Sequence, residues 1–63
     1  MNYAEAVKKL RNTLILSQTE MAELLGVSFQ TINRWERGTH KPTIKAKRKL
    51  AIYFKKHKIE VDE

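Results

Sequence analysis

The sequence predicts an all-α fold in which four helices form a compact bundle. Four segments repeat their apolar residues at helical spacing, and no segment alternates apolar and polar residues over the length of a strand. Each segment begins after a residue that can cap a helix, and the chain's two glycines follow the second and third segments. With 63 residues, the chain is long enough for one small domain and too short for a catalytic domain beside a substrate domain.

The first predicted helix begins after Asn2, which can form a capping box with Glu5. At about 100° per residue, the apolar residues that follow share one face of this helix. They are Tyr3, Ala6, Val7, Leu10 and Leu14. Such a face predicts packing against the rest of the bundle.

Two short helices with a tight turn between them follow. Ser17 and Glu20 have the spacing of a capping box for the second helix, and Ser28 can cap the third. A glycine follows each of these helices, where a left-handed backbone commonly ends a helix. The apolar side of the second helix is expected to consist of Met21, Ala22, Leu24 and Leu25. Together the two segments predict a helix-turn-helix over residues 17–37.

The fourth predicted helix starts after Thr43 and runs from Ile44 to about His57. Its apolar face consists of Ala46, Leu50, Tyr53 and Phe54. The lysines expected on the opposite side are Lys45, Lys49 and Lys56. The domain is therefore predicted to span residues 1–58, with residues 59–63 as a short C-terminal tail.

The positive charge of the chain is concentrated in its second half. Thirteen Lys and Arg residues against seven Asp and Glu residues give a net charge of +6 and a pI near 9.9. Residues 34–58 contain ten of the basic residues and a single acidic residue, Glu36. A one-sided positive field attracts polyanions, of which nucleic acid is the commonest, although a merely solvated basic surface would have the same composition.

The third predicted helix carries side chains that suit the edges of DNA bases. One arc of about 140° on the helical wheel contains Phe29, Gln30, Asn33, Arg34 and Arg37. Ile32 and Trp35 fall on the other side and are expected in the core. Gln and Asn can bond adenine, Arg can bond guanine, and an apolar side chain can contact the thymine methyl group. A polar face is also ordinary on an amphipathic helix, so nucleic-acid binding is favoured only in combination with the preceding short helix and the basic segment.

A longer motif joins these features. It runs from Leu10-Arg11 through Leu16-Ser-Gln-Thr-Glu-Met-Ala-Glu-Leu-Leu-Gly-Val-Ser28 to Ile32-Asn-Arg-Trp-Glu-Arg-Gly38, and it continues into Lys41-Pro42-Thr43. This motif resembles the lambda-repressor/Cro-like helix-turn-helix family of bacterial and phage regulators. The resemblance implies a compact helical bundle that usually binds operators as a dimer, with its third helix in the major groove.

The resemblance also implies roles for individual residues. Gln18 would contact the DNA backbone and brace the reading helix. The base-reading positions would be Phe29, Gln30 and Arg34, and the positions near phosphates would be Asn33, Arg37 and Lys41. Phe29 could instead pack against Val27 or a neighbouring subunit. Arg11 and Glu36 would form a partly buried ion pair between the first and third helices.

Three features depart from the pattern of this family. Relatives often have glycine near Ile15, so a β-branched residue there is expected to disfavour a left-handed end of the first helix. Lys47 stands where relatives commonly bury leucine, which predicts a different docking angle for the fourth helix. Residues 58–63 are too few to form the fifth helix through which related monomers often contact each other in the dimer. The dimer is then weak or formed otherwise, or the chain is one domain of a longer protein.

Other classes of site find little support in the sequence. There is no cysteine, and His40 and His57 are 17 residues apart without a carboxylate cluster nearby, so neither a metal nor a cofactor is expected. No nucleophile–base pair, carboxylate pair or phosphate-binding glycine loop indicates an enzyme. No apolar run approaches the roughly 20 residues that cross a bilayer, and the first residues do not resemble a signal peptide, so the expected location is the cytoplasm.

The function that these features favour is sequence-specific binding of double-stranded DNA by a bacterial or phage transcriptional regulator. A homodimer on a pseudo-palindromic operator would fit this function. The alternative is a DNA-targeting or protein-interaction module of a larger protein or of a toxin-antitoxin pair. A basic amphipathic binder of anionic membranes, built on residues 44–58, is disfavoured because Tyr53 and Phe54 are needed for the core.

Overall fold

The computed structural model describes residues 1–62, and that part of the chain contains four helices and no strand. The helices are α1 (Tyr3–Thr13), α2 (Gln18–Leu25), α3 (Phe29–Arg37) and α4 (Ile44–Lys56). The predicted all-α bundle with its helix-turn-helix is thus confirmed. Glu63, the last residue of the predicted tail, lies outside the described residues.

Each helix begins at the predicted capping residue. Both capping boxes form: the side chain of Asn2 accepts from the Glu5 N–H at 2.9 Å, and that of Ser17 accepts from the Glu20 N–H at 3.1 Å. Ser28 caps α3 and Thr43 caps α4. A cap of this kind stabilises a helix by about 1 kcal/mol, so four of them define where the chain enters each helix.

The ends of the first three helices adopt left-handed backbone conformations. Gly26 has φ of 69° and Gly38 has φ of 77°, which glycine adopts without strain. Ile15, just after α1, has φ of 56°, so the left-handed end of this helix forms although a β-branched side chain disfavours it. Two backbone bonds close the turn, from the Ile15 N–H to the Asn12 carbonyl at 3.1 Å and from the Leu16 N–H to the Arg11 carbonyl at 3.0 Å.

The hydrophobic core draws residues from all four helices. Its buried apolar residues are Ala6, Val7, Leu10, Met21, Ala22, Leu25, Ile32, Trp35, Ala46, Leu50, Phe54 and Ile59. Leu24, predicted on the apolar side of α2, is instead 43% exposed. The buried arc of α2 runs from Met21 toward Ala22, and Leu24 lies about 60° outside it at 100° per residue.

Side chains from α4 reach back to the other helices. Lys49, predicted to lie on the side of α4 away from the core, donates from Nζ to the Leu25 carbonyl at the end of α2, at 3.0 Å. The Lys47 ammonium lies 5.1 Å from the centre of the Tyr3 ring, a cation–π contact with α1. Two of the basic residues of α4 therefore contribute to the docking of the helix.

The segment after α4 packs against the domain. Residues 59–62 form no helix, but Ile59 is 6% exposed and Val61 packs against the core. The Asp62 N–H donates to the Met1 carbonyl at 2.8 Å, and the Asp62 carboxylate pairs with the N-terminal ammonium at 2.8 Å. Ile59, predicted to be the first residue of the C-terminal tail, is therefore part of the core of the domain.

Candidate nucleic-acid interface

Helix α3 has one buried face and one exposed face. Ile32, Trp35 and Glu36 are buried, and Trp35 at 4% exposure lies in the core as predicted. The five polar or aromatic residues predicted on the outer arc remain accessible. Phe29 is 49% exposed, Gln30, Arg34 and Arg37 are exposed, and Asn33 is half-buried.

The turn before α3 fixes where this exposed face lies. The left-handed Gly26 lets the chain reverse, and the Val27 N–H donates to the Ala22 carbonyl at 2.9 Å. Ser28 then accepts from the Thr31 N–H at 3.1 Å, and the two hydroxyl oxygens lie 2.8 Å apart. Because both helix ends are hydrogen-bonded, the outer face of α3 has a defined orientation relative to α2.

A buried ion pair joins α1 to the end of α3. Arg11 donates to both carboxylate oxygens of Glu36, from Nε at 2.7 Å and from Nη2 at 3.0 Å, as expected from the family resemblance. The Glu36 side chain is 3% exposed and that of Arg11 is 18% exposed. Arg11 also donates from Nη1 to the Leu16 carbonyl at 3.0 Å. The hydrogen bond to Glu36 raises the pKa of Arg11, against the opposing effect of burial.

Three polar residues extend from this ion pair to the outer face of α3. Gln18 donates from Nε2 to Glu36 Oε1 at 3.2 Å, and its Oε1 accepts from Asn33 Nδ2 at 3.3 Å. The Asn33 Oδ1 accepts in turn from Arg37 Nη1 at 3.5 Å. The structure thus brings together Gln18, Asn33 and Arg37. The two bonds of Gln18 fit the bracing role that the family resemblance implies, but their partners could not be predicted from the sequence, because Gln18 is 15 residues from Asn33 and 18 from Glu36.

Gln30 and Arg34 differ from Asn33 in their surroundings. Within residues 1–62, neither side chain makes a hydrogen bond or ion pair. Arg34 lines a shallow surface depression together with Thr31, Lys41 and Thr43. Lys41, which the family resemblance places near a phosphate, therefore lies beside the exposed face of α3. Both Gln30 and Arg34 are therefore available to a ligand.

Residues 1–62 contain no group of three or more His, Asp or Glu side chains that could hold a metal ion. None of the helices in that range is both long enough and apolar enough to cross a membrane. Phe54 is buried and Tyr53 is half-buried against the core, so the aromatic residues of α4 are used within the domain.

Comparison with known families decides the class of this domain. The model of a helix-turn-helix family matches residues 7–61. The chain belongs to the lambda-repressor/Cro-like helix-turn-helix family. The match includes all of α2, α3 and α4 and most of α1, and domains of this family bind DNA.

One relative is a much longer protein. The Type II methyltransferase M.SsoII of Shigella sonnei is 47% identical over 45 residues, in a match that covers 67% of this chain and 12% of that protein. The chain therefore spans only a small part of this relative, within its helix-turn-helix region. No solved structure matches the chain.

Proposed function

We propose that this protein is a sequence-specific, double-stranded DNA-binding transcriptional regulator of the bacterial or phage type. The observation that carries the proposal is the outer face of α3, where Gln30 and Arg34 are exposed and have no partner within residues 1–62. The opposite face of the same helix is held by the core and by the Arg11–Glu36 pair. Such a helix enters the major groove as a rigid element and presents its free side chains to base edges.

Three residues of α3 are assigned to base reading. The Gln30 amide has the donor and acceptor that adenine requires, and the Arg34 guanidinium suits O6 and N7 of guanine. Phe29, at the first turn of α3 and 49% exposed, suits a thymine methyl group. Repression would follow when the bound domain occludes a promoter, and recruitment of polymerase is the other outcome of the same binding.

Four further residues are assigned to the phosphate backbone: Gln18, Asn33, Arg37 and Lys41. Their hydrogen-bond donors lie beside the reading face on α2, on α3 and in the loop that follows α3. Contacts of this kind set the position of the protein and carry no sequence information. The net charge of +6 adds a sequence-independent attraction that weakens as salt rises.

Selection from randomised duplex DNA at about 0.15 M salt tests the proposal, because diffuse attraction is already screened there. An enriched motif supports sequence-specific reading, and two half-sites about one helical turn apart support a homodimer on a pseudo-palindromic operator. A single enriched half-site indicates a monomeric reader. Binding without enrichment that disappears steeply with salt contradicts the assignment of α3 as a reading helix.

A second candidate function is a DNA-targeting module of a larger protein, as in a DNA-modifying enzyme. The similarity to a small part of a Type II methyltransferase favours it. The reading residues would be the same, but an attached or partner polypeptide would supply the biological outcome. A longer reading frame in the source, or a second polypeptide that copurifies in fixed stoichiometry, supports this candidate, and regulation of a reporter promoter by the 63-residue chain alone contradicts it.

A further inference from the structure

The hydrogen bonds between the buried ion pair and the outer face of α3 all run in one direction. At one end, the Glu36 carboxylate only accepts hydrogen bonds, and at the other the Arg37 guanidinium only donates them. The amide nitrogen of Gln18 must therefore face Glu36, which leaves the Gln18 oxygen for Asn33. The Asn33 nitrogen then faces Gln18 and its oxygen faces Arg37. The chemistry of the two ends fixes both amides.

This orientation determines what the surface can offer to a ligand. An amide nitrogen has two hydrogens, and Gln18 and Asn33 each use one of them within the protein. Their oxygens each already accept a bond from a neighbouring side chain. The unused hydrogen-bonding groups of Gln18, Asn33 and Arg37 are therefore mostly donors: one N–H on each amide and the remaining N–H groups of the guanidinium, against a single remaining lone pair on each amide oxygen. A surface on which hydrogen-bond donors predominate suits a ligand that only accepts hydrogen bonds, such as the oxygens of a phosphate.

We propose that Glu36 is a positioning residue for DNA binding, whose carboxylate orients Gln18 and Asn33 as donors toward backbone phosphates. The inference rests on the proposed function of the domain. Asn33 is then poorly oriented to offer adenine a donor and an acceptor together, because its oxygen already accepts from Arg37 along α3. Discrimination between bases falls to the other outer residues of α3, and the ion pair has a role in recognition besides its role in the fold.

The orientation of the amides is tested first on the full chain without DNA. In NMR spectra of the side-chain amides, one proton of Gln18 and one of Asn33 should exchange with water about fivefold more slowly than the protons of Gln30. Gln18→Met keeps the length of the side chain and leaves the Arg11–Glu36 pair in place. It should bring Asn33 to the exchange rate of Gln30. Equal rates in the wild type, or protection of Asn33 that survives Gln18→Met, overturn the proposed orientation.

The role toward phosphate is tested on the selected operator and on its single-base variants. Asn33→Asp keeps the shape and replaces the donor by an acceptor, so affinity should fall by a common factor of about ten on every sequence. Gln30→Ala is the matched control, and it should change the preference at one base pair. A change of base preference in Asn33→Asp shows that Asn33 reads a base and overturns the proposal. If the wild type binds no duplex, the proposed function fails together with the phosphate role, while NMR still decides the orientation.

The positioning role of Glu36 requires a variant of the same shape. Glu36→Gln can present a donor to Gln18 and so no longer fixes the direction of the bonds. At a temperature where wild type and variant are both folded, it should speed the exchange of the Asn33 amide and weaken DNA binding about fivefold. A variant that only melts at a lower temperature, with exchange and affinity unchanged, shows a purely structural role and refutes the proposal.

Discussion

Replacing Arg11 by methionine should destabilise the domain by about 3–5 kcal/mol. The Glu36 side chain is 3% exposed and accepts three hydrogen bonds, two from Arg11 at 2.7 and 3.0 Å and one from Gln18 at 3.2 Å. Only the bond from the uncharged Gln18 survives in Arg11→Met, and a buried charge that loses its partner costs about 3–5 kcal/mol. A domain of 63 residues has a total stability of about 3–9 kcal/mol. The loss is thus comparable with the whole stability of the fold.

A double-mutant cycle separates the buried charge from the lost packing. The four proteins are the wild type, Arg11→Met, Glu36→Leu and the double variant, and urea unfolding followed by circular dichroism measures each free energy of unfolding. Glu36→Leu should cost less than Arg11→Met, because Arg11 is 18% exposed and keeps its bond to the Leu16 carbonyl at 3.0 Å. The double variant, which buries no charge at this site, should regain most of the stability.

Two results would refute this reasoning. Arg11→Met could lose less than about 1 kcal/mol, in the range of an exposed ion pair. Alternatively, the double variant could be as unstable as Arg11→Met alone, which would mean that the packing of the Arg11 side chain matters and the buried charge does not.

Three further outcomes follow from local geometry. Ile15→Gly should raise the free energy of unfolding, measured in urea, by about 0.5–1 kcal/mol. A left-handed conformation costs an L-residue about 1–2 kcal/mol, and the greater conformational entropy of glycine in the unfolded chain offsets part of the relief. A loss of stability would contradict this prediction. The N–H of Ser17 lowers the pKa of Glu20, so this cap stabilises the fold above the ordinary glutamate pKa and loses its effect as the pH falls through the lowered pKa. The melting temperature of Glu20→Gln should therefore fall less in acid than that of the wild type, and parallel curves would argue against this cap. Arg34→Ala should relax one base position by about 1–3 kcal/mol, whereas Lys41→Ala should weaken all sequences equally; equal losses on operator and random DNA would remove Arg34 from base reading.

The helices could be predicted because their signals are local. A capping residue and its partner are three positions apart, as in Ser17 and Glu20, so a segment of four residues is enough to predict the capping box. The turn after α2 is equally local, since Gly26 adopts there a conformation that few other residues tolerate. The Arg11–Glu36 pair is 25 residues apart, and it could be anticipated only from the resemblance to a family.

What the sequence did not predict depends on contacts between distant residues or on small rotations. Leu24 lies only about 60° outside the buried arc of a short helix, a difference that periodicity over eight residues does not resolve. Lys49 is exposed, as its position on α4 predicts, but its long side chain also reaches the Leu25 carbonyl, a contact that helical periodicity does not show. Ile59 follows the last helix and carries no periodic signal, although it completes the core.

The two faces of α3 separate stability from recognition at most positions. Substitutions at Gln30 or Arg34 remove no hydrogen bond or ion pair within residues 1–62, so they should change DNA binding and leave the melting temperature within about 4 °C. Substitutions at Ile32 should do the reverse, because that side chain is fully buried. Asn33 belongs to both sets, since its amide is bonded to α2 on one side and accessible on the other. Attempts to change the specificity of this domain should therefore vary Gln30 and Arg34 and keep Asn33, because a change at Asn33 would break its bond to Gln18 and weaken binding to every sequence.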